Sequence, residues 1–350
     1  MVKTRDQKAY TREDISNLVN NKGRSILIFE GKVYDSTDFN KTHPGGAKFI
    51  EDFIGKDITE VFYEEEHTKV ARRMLHDMLI GTLENQSEDQ DSQDTHHDSF
   101  DETELEDDQW KKKIDPSKGT VWQVFTTVSN EDYLDLINSP KHLAPDEEHV
   151  MFENWFLDFV SHIPWYQVLL FWGPFGAYQT YNGYMANDFW TFIIFYLLGF
   201  LFFTLSEYCL HRFIFHMEKF LVMNRYLRAL HFTFHGVHHM FPLDKDRLLL
   251  PVPIALIIWY SIKVCVQIFI PENPMIAFAA SATLGYLNYD LTHYYLHHHA
   301  PMTGYKFLKR YHMFHHYKDP DNGYGVSTPL WDYVFGTTLD MTKNHQKKRA

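Results

Sequence analysis

The chain has 350 residues and a formal net charge of −13, which is long enough for two domains with cores of their own. Twelve acidic residues fall between Glu84 and Asp108, a stretch with no Lys or Arg, and leaving them out brings the charge to about −1. The acidity belongs to one segment, so the composition carries neither a nucleic-acid footprint nor an acidic catalytic surface. The two cysteines, Cys209 and Cys265, sit in apolar stretches and read as small hydrophobes rather than a bridge. The opening MVKTRDQKAYTRED is charged with no apolar run behind it, which predicts an N-terminus on the cytosolic side.

In chain order, residues 8–83 read as a compact α+β domain, with short strands around SILIF and KVYD, a turn at Gly31-Lys32, and short amphipathic helices after them. Residues 84–109 form an acidic linker whose only aromatic is Phe100, too little apolar surface to order the segment. Residues 110–163 read as a connecting and interfacial segment. Pro116, Pro140 and Pro145 interrupt helices there, and Trp110, Trp122, Trp155 and Trp165 suit a membrane–water boundary.

Residues 164–340 read as an all-α integral membrane domain, and residues 341–350 as a basic cytosolic tail. A mean hydropathy of −0.35 opposes a membrane only on average, because the polar mass lies in the first third and in the histidines. Four windows have spanning character: residues 164–181 (weak, holding Gly173, Pro174 and Gly176), 189–210, 249–270 and 275–296. The joins YNGYMAND and PENP lack Lys and Arg. Residues 211–248 carry Arg212, Lys219, Arg225, Arg228, Lys245 and Arg247, and the end of the chain after the fourth window carries eight more basic residues. Basic segments stay cytosolic, so the pattern predicts four transmembrane helices, a histidine-rich cap and both termini on the cytosolic side.

The string HPGG at His43 and a second histidine, His67, supply two imidazoles able to hold a haem iron from opposite faces. Such an iron has no open position and serves one-electron transfer. The surrounding VYDSTDFNKTHPGGAKFIEDFIGKDITEVFYEEEH resembles the cytochrome b5 family over almost all of residues 8–83. The resemblance implies haem b with His43 and His67 as axial ligands, Phe39 and Phe62 lining the pocket, and the acidic run Glu64 to Glu66 facing an NAD(P)H-dependent cytochrome b5 reductase. His76 falls outside the pattern and reads as an ordinary helix residue.

Thirteen of the 22 histidines lie between positions 211 and 316, in HRFIFH, HFTFHGVHH, THYYLHHH and HMFHH. His235, His238 and His239 are spaced i, i+3, i+4, as are His312, His315 and His316. His293 and His297 are i, i+4. On a helix each set shares a face. His211 and His216 stand about 140° apart on an ideal helix, so one of them falls at a helix end or serves a different ion. Ten imidazoles exceed the needs of one ion and suffice for two. Imidazole suits iron, zinc or copper, and affinity alone favours zinc or copper over ferrous iron, so zinc is expected in purified protein. A tethered electron carrier is wasted on hydrolysis but needed to reduce a metal centre that activates dioxygen, which selects iron.

These strings, with the closing HMFHHYKDPDNGYGVSTPLWDYVFGTT, resemble the fatty acid hydroxylase and sterol desaturase superfamily of membrane di-iron enzymes over residues 190–340. The resemblance implies metal ligation by His211, His216, His235, His238, His239, His293, His297, His312, His315 and His316. His231, His298 and His299 are then extra, and read as orienting or structural. The fused haem domain resembles the branch that hydroxylates the acyl chain of ceramide and related sphingolipids at its 2-position, with dioxygen as co-substrate and membrane lipid as surroundings. Asp290, Tyr289 and Tyr286 are candidate catalytic or substrate-contacting residues by proximity to His293. The tail KKRA resembles a dilysine retrieval signal, which with the family points to the endoplasmic reticulum membrane. The rivals are a cytochrome b5-fused acyl or sterol desaturase, in which Gln often stands where His312 does here, and a non-enzymatic electron carrier with structural zinc.

Overall fold

The computed structural model describes residues 8–43, 47–64, 67, 69–84, 109–141, 143, 147–299 and 302–341. Pro44, Gly45 and Gly46 of HPGG, the side chains of Glu64 to Glu66, the acidic linker, Pro145 and the KKRA tail lie outside the described residues. The chain divides into two compact units, the first running to Lys112 and the second beginning at Lys113.

The first unit is built on β1 (Lys8–Tyr10), α1 (Arg12–Asn20), β2 (Ile26–Phe29), β3 (Lys32–Asp35), α2 (Ala47–Glu51), α3 (Thr59–Glu64), α4 (Lys69–Asp77) and β4 (Leu79–Leu83). The strands form one sheet in the order β1-β4-β3-β2, parallel only between β1 and β4. All of β2 is buried because both faces of the sheet are covered. Ile26 and Ile28 pack with Ile15 of α1, and Leu27 and Phe29 pack on the other face with Ile50, Ile58, Phe62 and Leu75. The β2–β3 turn is Glu30-Gly31 rather than Gly31-Lys32, since Phe29 pairs with Lys32. Both turn residues have positive φ, 48° and 70°, the geometry a two-residue hairpin needs to match strand twist. His76 is an exposed residue of α4.

The second unit is mostly helical. After α5 (Gln109–Lys113) come α6 (Thr120–Thr126), α7 (Asn130–Ile137), α8 (Trp155–Ser161), α9 (Trp165–Ala186), α10 (Phe189–Cys209), α11 (Arg225–His231), α12 (Val237–Met240), α13 (Val252–Gln267), α14 (Glu272–His298), α15 (Lys306–Tyr317) and α16 (Leu330–Phe335). The helix spanning Phe189–Phe215 is the one among the described residues both long and apolar enough to cross a membrane. The other three windows are helical, but α13 has 16 residues, about 24 Å at 1.5 Å per residue, short of a hydrocarbon core of about 30 Å. Helix α9 runs unbroken through Pro174. Trp122, Trp155 and Trp165 are exposed, whereas Trp110 is buried and offers no interfacial anchor.

Helix α14 packs between α9 and α10, and glycine permits both contacts. A Cβ on Gly183 of α9 would lie 2.9 Å from the Ala277 Cα, and one on Gly199 of α10 would lie 2.1 Å from the Phe278 carbonyl. On α9, Gly176 meets Leu284 and Gly183 meets Ala277, so α9 is antiparallel to α14. On α10, Gly199 meets Phe278 and Phe203 meets Gly285, so α10 is parallel to it. The C-terminal ends of α10 and α14 therefore reach the same end of the bundle, and those ends carry His211, His293 and His297.

Candidate metal centre and haem site

Helix α10 does not stop at Cys209 but continues through a π-helical turn, Leu210–Phe215, closed by the His216 amide donating to the His211 carbonyl at 3.0 Å. A residue added per turn lets positions i and i+5 share a face. His211 and His216, divergent on an ideal helix, stand with ring centres 5.1 Å apart. His216 does lie at a helix end, but on the same group as His211. A second π turn, Phe232–Gly236, carries His235 and leads into α12 with His238 and His239.

The ten histidines gather into two groups of five. His211, His216, His235, His239 and His315 form one, and His238, His293, His297, His312 and His316 the other, each with ligand atoms within 4.8 Å of one another and every residue buried. Neither i, i+3, i+4 triplet stays whole. His235 and His239 serve the first group while His238 serves the second, and His312 and His316 serve the second while His315 serves the first. The adjacent pairs His238-His239 and His315-His316 thus straddle the boundary, and the groups abut, with the His239 and His316 rings 4.3 Å apart.

The donor chemistry tests whether cations fit. In the first group Nδ1 of His211 donates to the Tyr324 carbonyl at 2.5 Å, that of His216 to Glu218 Oε1 at 3.0 Å, and that of His315 to the Asn322 carbonyl at 2.7 Å. A neutral imidazole has one N–H, so their Nε2 atoms present lone pairs. Yet Nε2 of His216 and Nε2 of His315 face each other at 3.1 Å. In the second group Nε2 contacts of 2.8–3.1 Å run from His293 through His238, His316 and His312 to His297. A nitrogen that donates to one neighbour has no lone pair for the next, so these cannot all be hydrogen bonds. Facing lone pairs are relieved by a cation between them. Burial, followed by repulsion from neighbouring imidazoles, pushes His235, His239, His312 and His316 well below their ordinary pKa, which keeps them in the neutral form that binds metal.

The carbonyls that fix His211 and His315 come from one loop, held by two buried carboxylates. Asp332 of α16 accepts from the Tyr324 and Gly325 amides, both at 2.9 Å, and from the Thr337 hydroxyl at 2.8 Å. Glu207 of α10 accepts from the Val326 and Ser327 amides at 2.8 Å. The Gly-Tyr-Gly and Trp-Asp strings thus serve as a cradle for two imidazoles. Glu207 has no sequence signature, because it acts through a contact with a loop far along the chain.

On α14, Asp290 is buried and Tyr286 half-buried; the two side chains interact electrostatically, while no hydrogen bond of ordinary geometry reaches Asp290 Oδ2 or the Tyr286 hydroxyl among the described residues. The Tyr289 ring lies 5.6 Å from the His293 ring, beside the second group. Of the extra histidines, His231 is buried outside both groups, while His298 packs on Tyr294 and His299 is exposed.

In the first unit, the His43 and His67 rings are 6.3 Å apart. Two metal–nitrogen bonds of about 2 Å, plus the step from each nitrogen to its ring centre, span that separation. His67 Nδ1 contacts the Phe62 carbonyl at 2.8 Å, leaving Nε2 for a ligand bond. The Phe62 ring stacks on His67 at 4.0 Å and Phe39 packs edge-on to His43 at 5.7 Å. The pair fits a haem.

Residues 196–337 match the Fatty acid hydroxylase family, and residues 11–84 match the Cytochrome b5-like Heme/Steroid binding domain. The chain is 30% identical over 328 residues to a ceramide very long chain fatty acid hydroxylase, scs7, of Schizosaccharomyces pombe, covering 90% of this chain and 93% of that one. It is 32% identical over 350 residues to the fatty acid 2-hydroxylase of Homo sapiens, covering 90% and 91%. A solved structure of full-length scs7p, in which only the hydroxylase domain is visible, superposes with a TM-score of 0.62 at 31% identity, covering 65% of this chain and 86% of that one. The chain belongs to the fatty acid hydroxylase family, in the branch whose members join a cytochrome b5-like domain to the hydroxylase domain.

Proposed function

We propose that the protein is a dioxygen-dependent monooxygenase that hydroxylates the acyl chain of ceramide or a related sphingolipid at the carbon beside the carbonyl. The observation that carries this reading is the pair of abutting five-imidazole groups in one chain with a haem-type histidine pair. The ten histidines would hold two iron ions, with zinc able to replace them in purified protein, and His43 and His67 would hold haem b. Iron in this site supplies dioxygen activation, and haem supplies electrons one at a time. The net reaction takes dioxygen, two electrons and two protons, places one oxygen in a carbon–hydrogen bond and releases the other as water.

The chain's own residues do the rest. The carbonyls of Asn322 and Tyr324 and the carboxylate of Glu218 hold three imidazoles in the tautomer that offers Nε2. Tyr289 lies beside His293 of the second group, and with Asp290 and Tyr286 of the same helix it would hold the polar end of the acyl substrate, with the apolar faces of the helices excluding water. We assign a haem domain to residues 8–83, a linker to 84–109, a connecting segment to 110–163, the catalytic domain to 164–340 and the tail to 341–350. We further assign four spans with both termini cytosolic, in the endoplasmic reticulum membrane, and a cytochrome b5 reductase as electron donor. The parallel ends of α10 and α14 and the loop charges support this arrangement.

The test is to express the intact chain and His43→Ala in cells lacking hydroxylated sphingolipids and to fragment the acyl chains by mass spectrometry. The expected result is a new oxygen beside the carbonyl with the intact chain and none with His43→Ala. A new double bond would make the enzyme a desaturase, and no lipid change under ample iron would remove the enzymatic reading.

A further inference from the structure

In the first group His211 and His315 each have a carbonyl behind them, whereas Nδ1 of His216 meets the carboxylate of Glu218 at 3.0 Å. The chain arrives there by leaving the π turn at His216 and entering a tight 3-10 turn, Met217–Lys219. Lys219 pins the far side of that turn through an ion pair to Asp321 at 3.0 Å and hydrogen bonds to the Pro320 carbonyl and the Tyr324 hydroxyl. The Glu218 side chain is 4% exposed.

The other carboxylate oxygen lies 2.8 Å from Nε2 of His231. That nitrogen is also 2.6 Å from the Phe215 carbonyl, and hydrogen-bond geometry directs its proton to the carbonyl, leaving the carboxylate packed against the edge of the ring. Because both groups facing Nε2 are acceptors, Nε2 carries the proton and Nδ1 accepts from the Tyr133 hydroxyl. Tyr133 comes from α7, in the segment ahead of the membrane helices. A Cβ at Gly236 would sit 2.7 Å from that hydroxyl, so the glycine in HFTFHGVHH leaves room for the contact. In the second group, by contrast, Nδ1 of His238, His297, His312 and His316 is buried without a partner among the described residues.

We infer that Glu218, braced by His231 and Tyr133, is a positioning residue that orients His216 and adds negative charge behind the first five-histidine group, so that this group holds its ion more tightly than the second. The inference rests on the two-ion reading above. A carboxylate accepting from the distal nitrogen of a ligating histidine fixes the ring and raises its basicity, and removing it typically weakens metal binding by about 10–100-fold.

The test uses the full chain in detergent, loaded with cobalt(II) alone and titrated with a chelator, reading bound cobalt per chain and its visible spectrum. Wild type is expected to bind two ions and release them in two steps. Glu218→Ala should move the later step about 10–100-fold toward weaker binding, with the spectrum of the ion released first unchanged. Glu218→Gln, which keeps an acceptor but no charge, should fall between. Tyr133→Phe, which removes one hydroxyl and keeps the ring, should shift the same step by less, and it decides the matter with Glu218→Gln should the alanine variant not fold. Release curves identical to wild type, or equal weakening of both steps, would overturn the inference. A wild-type chain that binds no cobalt would instead overturn the metal reading itself.

Discussion

Replacing Asp332 by alanine tests whether the loop after α15 is held in place for the histidines. Asp332 is fully buried, and its two oxygens serve the Tyr324 and Gly325 amides and the Thr337 hydroxyl. Alanine leaves two buried amides without partners, and at about 1–3 kcal/mol for each the second unit loses about 2–6 kcal/mol. For a body of this size each kcal/mol moves Tm by about 2–4 °C, which gives a fall of roughly 5–20 °C in detergent-solubilised protein followed by tryptophan fluorescence. The Asn322 and Tyr324 carbonyls would then withdraw from His315 and His211, weakening metal retention in the first group by about 10–100-fold and leaving the haem absorbance intact. Asp332→Asn should be nearly as damaging, because its amide would meet the Gly325 N–H donor to donor. A variant with unchanged Tm and unchanged metal retention would refute the argument.

Two further outcomes follow from contacts away from the metal groups. Burial acts to raise the Asp244 pKa, but the His149 hydrogen bond and the Arg247 guanidinium overcome it and hold the carboxyl at about 2, below its ordinary 3.8. A depressed carboxyl pKa stabilises the fold fully above its unfolded value, and that stabilisation, about 2 kcal/mol, is lost as pH falls from about 4 to about 2. Burial of His149, with its pKa lowered from 6.5, adds a loss that begins as pH drops below 6.5, where the unfolded chain takes the proton first. Urea unfolding of the second unit should therefore weaken steadily with acid. Asp244→Asn should flatten the limb below pH 4, and an unchanged limb would disprove the assignment. Gly199→Ala should lower Tm through overpacking of α10 on α14, typically costing about 1–3 kcal/mol, whereas alanine at exposed Gly304, with open space around it, should leave Tm within a degree or so.

Much of the molecule is readable without coordinates because its chemistry is carried by residue type and local spacing. The pairs His293/His297 and His312/His316 lie on one face at i, i+4 and serve the same group, as helical geometry requires. The strands of the first domain follow from short apolar runs, although the hairpin turn moved by one residue because pairing of Phe29 with Lys32 decides which two residues take positive φ. The membrane windows located four helices, but their apolar content alone marks only Phe189–Phe215 as a span by length and composition. Buried Trp110 shows that an aromatic count cannot separate an interfacial anchor from a core residue.

What the sequence determined by itself was the inventory: a histidine pair of haem type, ten imidazoles of which eight fall in three helical registers, an acidic segment and the apolar helices. Tertiary structure decided the partition. Whether His211 and His216 converge depends on an i to i+5 hydrogen bond, and no residue type demands one. Which of His238 and His239 serves which group depends on how α12 is rotated against α14 and α15. Glu207 and Tyr133 become parts of the site only when segments distant in sequence bring their oxygens within hydrogen-bond reach, and Glu218 reaches His216, two residues away, only because the chain turns tightly after the π turn. Spacing along one helix fixes which side chains share a face, but only packing between helices fixes what that face meets.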